Sequence, residues 1–493
     1  MNRKVVLTLM LLMITLCFPR ASLSPPKSEA SVGNRVHNLE TGLGYATIQE
    51  AIDAPETLST NRILVDTGTY YENVKVTKTV SLIGQSEQTT IVDGMRLTSA
   101  IELDSNNVTI TGFTLRNSGV GWAQGGIALG TVGYCNVSGN NITNNYYGIW
   151  LNSSADNLIS GNNFANNGYG IGLYGPSNRN RILENNVTAS GHAGILLVST
   201  VENDVSRNNV TDDEFGVELS SSSNNTIMEN DIAGNSHGVA LYESSNGNEI
   251  AGNNVRQNGW GLETDTSIGN RIHNNNFINN TPQVFFYDVG YTNVWDAGYP
   301  LGGNYWSDYN GTDANRGPNQ NETGGDAIGD APRPLNDNNE DRYPLMGMSQ
   351  DFTVSLPPYP TGGTGHISVI SNSTVSNLQY VAWLNSPNQY LQTGQMLVQF
   401  STTEQNGTGF CRLMIPTTCL NASSYTVLVD GEPVDATQLP SPNSTVYLYI
   451  TYPHSNHEII VTIPELPTVI AFLMPITATS LLIFYLRRKR GNQ

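Results

Sequence analysis

Lysine is nearly missing: after Lys78 the next is Lys489, and charged residues of every kind make up 13% of the 493-residue chain, about half the usual share. That scarcity excludes a charge-laced helical protein, whose exposed faces would need paired acids and bases. Cations are outnumbered, with Lys+Arg 23 against Asp+Glu 42 and a net charge of −19. Such a surface repels a phosphate backbone, so nucleic acid is set aside as a partner. Cysteine is scarce too, with 4 in the chain. Cys411 and Cys419 are close enough in sequence to be paired as a loop-stapling disulfide, whereas Cys135 has no evident partner. What is plentiful is Gly (48) and asparagine, so polarity comes from uncharged amides. The length allows roughly three structural units.

Long apolar runs occur only at the two ends. Asn2-Arg3-Lys4 precedes an apolar stretch from Val5 to Phe18 and small residues near Ala21, the layout of a secretory signal over 1–22. Thr468 to Leu486 is nearly continuously apolar and runs into Arg487-Arg488-Lys489-Arg490. It is expected to be a single transmembrane helix over 468–486, with 487–493 as a basic cytoplasmic tail and the bulk of the chain at the cell surface. Fourteen Asn-x-Ser/Thr sequons between Asn107 and Asn443 are compatible with an exported chain.

A repeat dominates the middle. Gly148-Ile149, Gly170-Ile171, Gly194-Ile195, Gly216-Val217, Gly238-Val239 and Gly261-Leu262 recur every 22 to 24 residues. A second file, Asn141-Ile142, Asn163-Phe164, Asn186-Val187, Asn209-Val210, Asp231-Ile232 and Asn254-Val255, keeps the period, as does a third through Ile159, Ile182, Val205, Ile227 and Ile250. Each period holds three apolar stretches too short for helices and parted by Asn, Ser and Gly, which suits strands with tight corners. Stacked at the strand spacing of about 4.8 Å, equivalent residues form columns. Ile149, Ile171, Ile195 and Val217 then line the interior, and the asparagine file occupies a corner where amides bond to the coils above and below. The expected fold is all-β: a parallel β-helix of about ten coils over 31–348. Ile48, Ala51 and Ile52 at helical spacing would cap its first coil. Pro357 to Gly363 marks a linker over 349–364. Alternating segments from His366 to Ile463 predict a β-sandwich module over 365–463.

Ala46-Thr47-Ile48-Gln49-Glu50-Ala51-Ile52, Gly68-Thr69-Tyr70-Tyr71-Glu72-Asn73-Val74 and Ser81-Leu82-Ile83-Gly84 resemble the opening of pectin-lyase-like right-handed β-helix proteins. The 22-residue coils resemble the carbohydrate-binding and sugar-hydrolase repeats of the NosD group. Gly302-Gly303-Asn304-Tyr305-Trp306-Ser307-Asp308-Tyr309 and Asp341-Arg342-Tyr343-Pro344-Leu345 are similar to the segment closing many archaeal members. The resemblance implies the fold over roughly 35–348. It leaves activity open, since this fold hosts lyases, hydrolases, adhesins and scaffolds.

The residues narrow that choice. A uronate lyase needs a basic catalyst with calcium, and the coils hold no lysine after Lys78 and no Arg-x-Pro-x-x-Arg pattern. For a hydrolase the candidate carboxylates are Asp212, Asp213, Glu218 and Glu263, the last two in one outward column two coils and roughly 10 Å apart. The copper that the NosD name implies needs converging soft or imidazole ligands, and His37, His192, His237, His273, His366, His454 and His457 are scattered. Binding is better served. Tyr147, Tyr169, Ala193, Phe215, His237 and Trp260 precede the repeat glycine. Strict alternation with Ile149 and Leu151 turns this column inward, whereas a bend at the glycine turns it out to stack on sugars. Trp150, Tyr174 and Tyr242 are expected to face out. Asp308, Asp313, Asp326 and Asp330, in a Gly- and Asn-rich stretch, could hold calcium, the one cofactor these residues suggest. The expected function is a membrane-anchored extracellular β-helix contacting surface polysaccharide without catalysis. The alternatives are a polysaccharide-cleaving enzyme using the carboxylates and a purely structural envelope or adhesion rod.

Overall fold

The computed structural model describes residues 33–356, 363–380, 398–403, 408–419, 424–441, 444–453 and 456–462. The expected signal and anchor segments lie outside the described residues. No helix among the described residues is long and apolar enough to cross a membrane.

The middle of the chain is a right-handed parallel β-helix of about ten turns. Three sheets of 12, 11 and 10 strands run its length, and in each the next coil's strand lies beside its predecessor. Registers repeat without slippage: Ile149 pairs with Ile171, Ile171 with Ile195, Ile195 with Val217, and Val217 with Val239. These residues and Leu151, Leu173, Leu197 and Leu219 are fully buried in one continuous core. Identical aliphatic side chains above one another fill the interior because every coil repeats the same pattern of burial.

The corners are asparagine ladders, one residue earlier than the expected file. The main-chain N–H of Asn140 donates to Asn162 Oδ1 (3.0 Å), and Asn162, Asn185, Asn208, Asn230, Asn253 and Asn275 repeat this to Asn304. A second buried ladder climbs through Asn157, Asn180, Asn203, Asn225, Asn248, Asn270 and Asn293. The expected file of Asn141, Asn163, Asn186 and Asn209 exists as well, but on the outer side of the corner, amide to amide. The buried residue is the one where main-chain groups leave the strand ladder and need a side-chain partner.

Both ends are closed. The helix Ile48–Asp53, with Thr47 as N-cap, buries Ile48, Ala51 and Ile52 over the first coil. At the other end Trp306 stacks on Phe277 (centroids 4.5 Å) beside Trp295. Both indole N–H groups are satisfied, Trp306 donating to Asp341 and Trp295 to Asn339.

Two small antiparallel sheets of five strands each follow, and their buried side chains form one cluster. Residues 349–356, expected within the linker, form the first strand instead: Met348–Leu356 pairs with Gly363–Ser371. Alternation places Val354 in the core, and Ser349 exchanges hydrogen bonds with Asn276 of the coil (2.8 and 2.7 Å). Arg412, fully buried, donates to the carbonyls of Asp326 and Leu301 and ties this unit to the closing segment. The expected Cys411–Cys419 disulfide is not formed. Both are buried free thiols, because the extended strand from Cys411 to Pro416 carries the chain about 16 Å before the turn at Cys419.

Candidate functional site

Only one of the three solenoid sheets carries a concentration of aromatic side chains on its outer face. After Val74–Val76 and Ile101–Leu103 at its start, its strands are Gly125–Gly130, Tyr147–Asn152, Tyr169–Tyr174, Ala193–Val198, Phe215–Ser220, His237–Tyr242, Trp260–Thr264 and Val284–Phe286. The ambiguity in the Tyr147 column is resolved by the glycine. Gly148 drops out of the pairing between Tyr147–Tyr169 and Ile149–Ile171. A Cβ on it would lie 2.4 Å from the Gly170 carbonyl and 2.6 Å from the Phe164 ring. Gly148 and Ile149 both turn inward, which needs a residue with no side chain, and Tyr147 is thereby thrown to the outside. There Tyr147, Trp150 and Ala128 form a cluster separate from the core, flanked by Tyr146, Tyr169 and Tyr174.

The rings continue along the axis. Tyr147 stacks on Tyr169 (4.8 Å), which meets His192, then Phe215, His237 and Trp260, and Trp260 stacks on Phe285. His192, one residue before the expected position, fills the rung that Ala193 leaves empty. Within this ladder the ring faces are largely taken by one another. Two exposed rings on this face were not singled out by the repeat: Trp122, 64% exposed, edges onto Trp150 and Tyr174, and Tyr287, 46% exposed, edges onto Tyr242 and Trp260. Both lie outside the regular coils, Trp122 in the Gly119–Gln124 loop and Tyr287 just past the last strand, so periodicity gave no signal for them.

The carboxylates divide between two environments. Glu218 pairs in register with Ala240 and Ala240 with Glu263, so both acids stand in one outward column of this face. Glu218 lies 3.5 Å from His192 Nε2, and burial raises its pKa. Glu263 is fully buried, accepts from the Tyr242 hydroxyl, and has His237 Nδ1 2.8 Å away. Asp212 and Asp213 do not join them. Asp212 is exposed at a corner with φ 61°. Asp213 takes an asparagine's place in a buried ladder, accepting from Ser190 N–H while its own N–H donates to Asn235.

The four proposed calcium ligands are likewise not assembled. Asp313 accepts from the N–H groups of Asp326 and Ala327, Asp326 from those of Gly317 and Ile328, and Asp330 from those of Ala314 and Asn315. Asp308 bonds Arg333. The loop uses its acids to satisfy turning main chain. Among the described residues no three His, Cys, Asp or Glu side chains are grouped to hold a metal.

A family model described as periplasmic copper-binding protein (NosD) matches residues 28–190 and 182–311, a span of 284 of the 493 residues (311 − 28 + 1). A cell surface glycoprotein of Methanothermus fervidus is 34% identical over 116 residues, 23% of this chain. The chain spans 18% of that relative's length. Among solved structures, a DFA-IIIase from Arthrobacter chlorophenolicus A6 is 16% identical with a TM-score of 0.36, over 52% of this chain and 76% of that one. A mutant of the periplasmic alginate epimerase AlgG is 16% identical at a TM-score of 0.32 (45% and 71%). The Dettilon tailspike protein is 14% identical at 0.34 (81% and 86%). These three likenesses concern the fold.

Proposed function

We propose that this chain, which belongs to the NosD family, is a cell-surface protein whose solenoid contacts polysaccharide without cleaving it. The observation that carries this reading is the aromatic outer face, where Trp122 and Tyr287 stand exposed on an ordered bed of rings. Exposed indole and phenol faces cost solvation unless something apolar covers them, and the C–H faces of sugars do so while their hydroxyls stay hydrogen-bonded. The identity to a cell surface glycoprotein supports the location. The apolar run over 468–486 would supply the membrane anchor, and the buried asparagine ladders would give the rod its stiffness.

The copper in the family's description finds no matching residues. His37, His192, His237 and His273 are each paired with a carboxylate on the solenoid, of Asp66, Glu214, Glu263 and Glu249, and no third ligand converges on any of them among the described residues. No copper chemistry is derived for this chain.

Affinity electrophoresis of the full chain in gels containing neutral surface-type polysaccharides tests the reading. Retardation is expected, and Trp122→Ala should weaken it about tenfold, equivalent to about 1.4 kcal/mol of stacking, with the unfolding midpoint unchanged because Trp122 is exposed. Unretarded migration in every gel would leave the structural rod. A second reading rests on Glu218 and Glu263: two carboxylates near the separation used by inverting glycosidases. It requires new reducing ends that disappear in Glu218→Gln; none are expected, since Glu263 is sealed from solvent.

A further inference from the structure

From the charge of this face, and resting on the glycan reading above, we infer that the bound glycan is neutral or amino-bearing and is not a uronic-acid polymer. Trp122 sits over the coils of Trp150 and Tyr174, and Tyr287 over those of Tyr242 and Trp260. The two exposed rings are therefore four coils apart, about 19 Å at the strand spacing. That is a run of several sugar units, with Glu218 and Ser220 on the coil between them.

Charge along that run has one sign. None of the eight strands from Gly125–Gly130 to Val284–Phe286 contains lysine or arginine, while Glu218 and Glu263 lie on the face and Glu214 and Glu243 flank it. Of the guanidiniums in adjoining segments, Arg179 is held by Asp156 and Arg256 by Asp231, each through two bonds of 2.8 Å. A uronate would bring a carboxylate on every unit to strands that carry acids and neither lysine nor arginine, and like charges there are repulsive.

The two acids of the outward column lie just beneath this surface. Glu263 is fully buried and accepts from the Tyr242 hydroxyl, and Glu218 Oε2 lies 3.5 Å from His192 Nε2. They act on a bound glycan through charge and not through contact, which a hydroxyl or ammonium group tolerates and a carboxylate does not. Strands that carry carboxylates and neither lysine nor arginine suit a hydroxyl-rich or amino sugar and disfavour an acid.

The test immobilises the full chain and measures binding of three oligosaccharide series of matched length: β-linked glucose, β-linked glucosamine and galacturonate. The first two are expected to bind, more tightly with each added unit until the span is filled, and galacturonate at least tenfold more weakly. Glu218→Gln should narrow that gap by raising galacturonate affinity several-fold relative to the glucose series. The double variant with Glu263→Gln should narrow it further, each variant's thermal midpoint confirming its fold. Galacturonate binding as tight as glucose, or a gap indifferent to Glu218→Gln, would overturn the charge inference and leave glycan contact standing. Binding of none of the three would overturn both.

Discussion

Replacing Asn230 by alanine is expected to destabilise the solenoid by about 4 kcal/mol, whereas Asn209→Ala, in the exposed outer file, should cost well under 1 kcal/mol. The two asparagines are neighbours on successive coils and differ in what they hold. Asn230 Oδ1 accepts from the main-chain and side-chain N–H of Asn208 (2.9 and 3.0 Å), and its Nδ2 donates to Val205 O and Asn253 Oδ1 (2.8 and 2.9 Å). All four bonds are buried. Truncation leaves the Asn208 main-chain N–H without its acceptor inside a tightly packed corner, where no water replaces it. Asn209 makes its amide contact to Asn186 at the surface (2.7 Å), where water substitutes. Urea unfolding of the two variants decides the matter. Equal losses would show that the inner ladder is not what holds the coils in register.

The second large effect concerns pH and a single departure from that ladder. Asp213 stands where the pattern places asparagine: in the neighbouring rungs Asn235 and Asn258, Nδ2 donates to a carbonyl of the preceding coil and to the next amide. Asp213 has an oxygen there, Oδ2, without a partner among the described residues. Burial pushes its pKa up from 3.8 to about 7, with hydrogen bonds from Ser190 acting in the opposite direction. A carboxyl whose pKa is raised by folding favours the fold while protonated. The stability it contributes is complete below pH 3.8 and is lost as pH rises through about 7. A shift of this size corresponds to on the order of 4 kcal/mol across that window. Asp213→Asn restores a donor that carries no charge. The variant should match the wild type near pH 4 and be more stable by roughly 3 kcal/mol at pH 8. Thermal or urea unfolding at the two pH values reads the difference directly. A variant no more stable than wild type at pH 8 would mean that the site ionises without cost.

Much of this protein was legible in its residues. The 22-residue period named the coil, its three strands and the aliphatic columns, because a stack of equivalent turns has the same burial at every repeat and leaves that pattern in the chain. The helical cap at Ile48 was legible for the same reason: its spacing is local. Glu218 and Glu263 could be placed in one column two coils apart by counting alone.

What counting could not supply were facts that depend on a third dimension. Whether Tyr147 faced in or out turned on a Cβ that would meet the carbonyl of Gly170, a contact between residues 22 apart that no alternation rule contains. The buried asparagine ladder lay one residue from the expected file because two adjacent asparagines have the same composition and differ only in which side of the corner they line. The acids from Asp308 to Asp330 suggest a cation as isolated residues; folded, their oxygens are claimed by main-chain amides. Cys411 and Cys419 are near in sequence and separated by an extended strand. Trp122 and Tyr287, exposed rings on the aromatic face, sit in irregular segments where no repeat marks them. The sequence by itself determined the periodic architecture, since short-range pattern and stacking suffice for it. Only the tertiary structure decided which side chains are free to meet another molecule, because that depends on what already covers each of them.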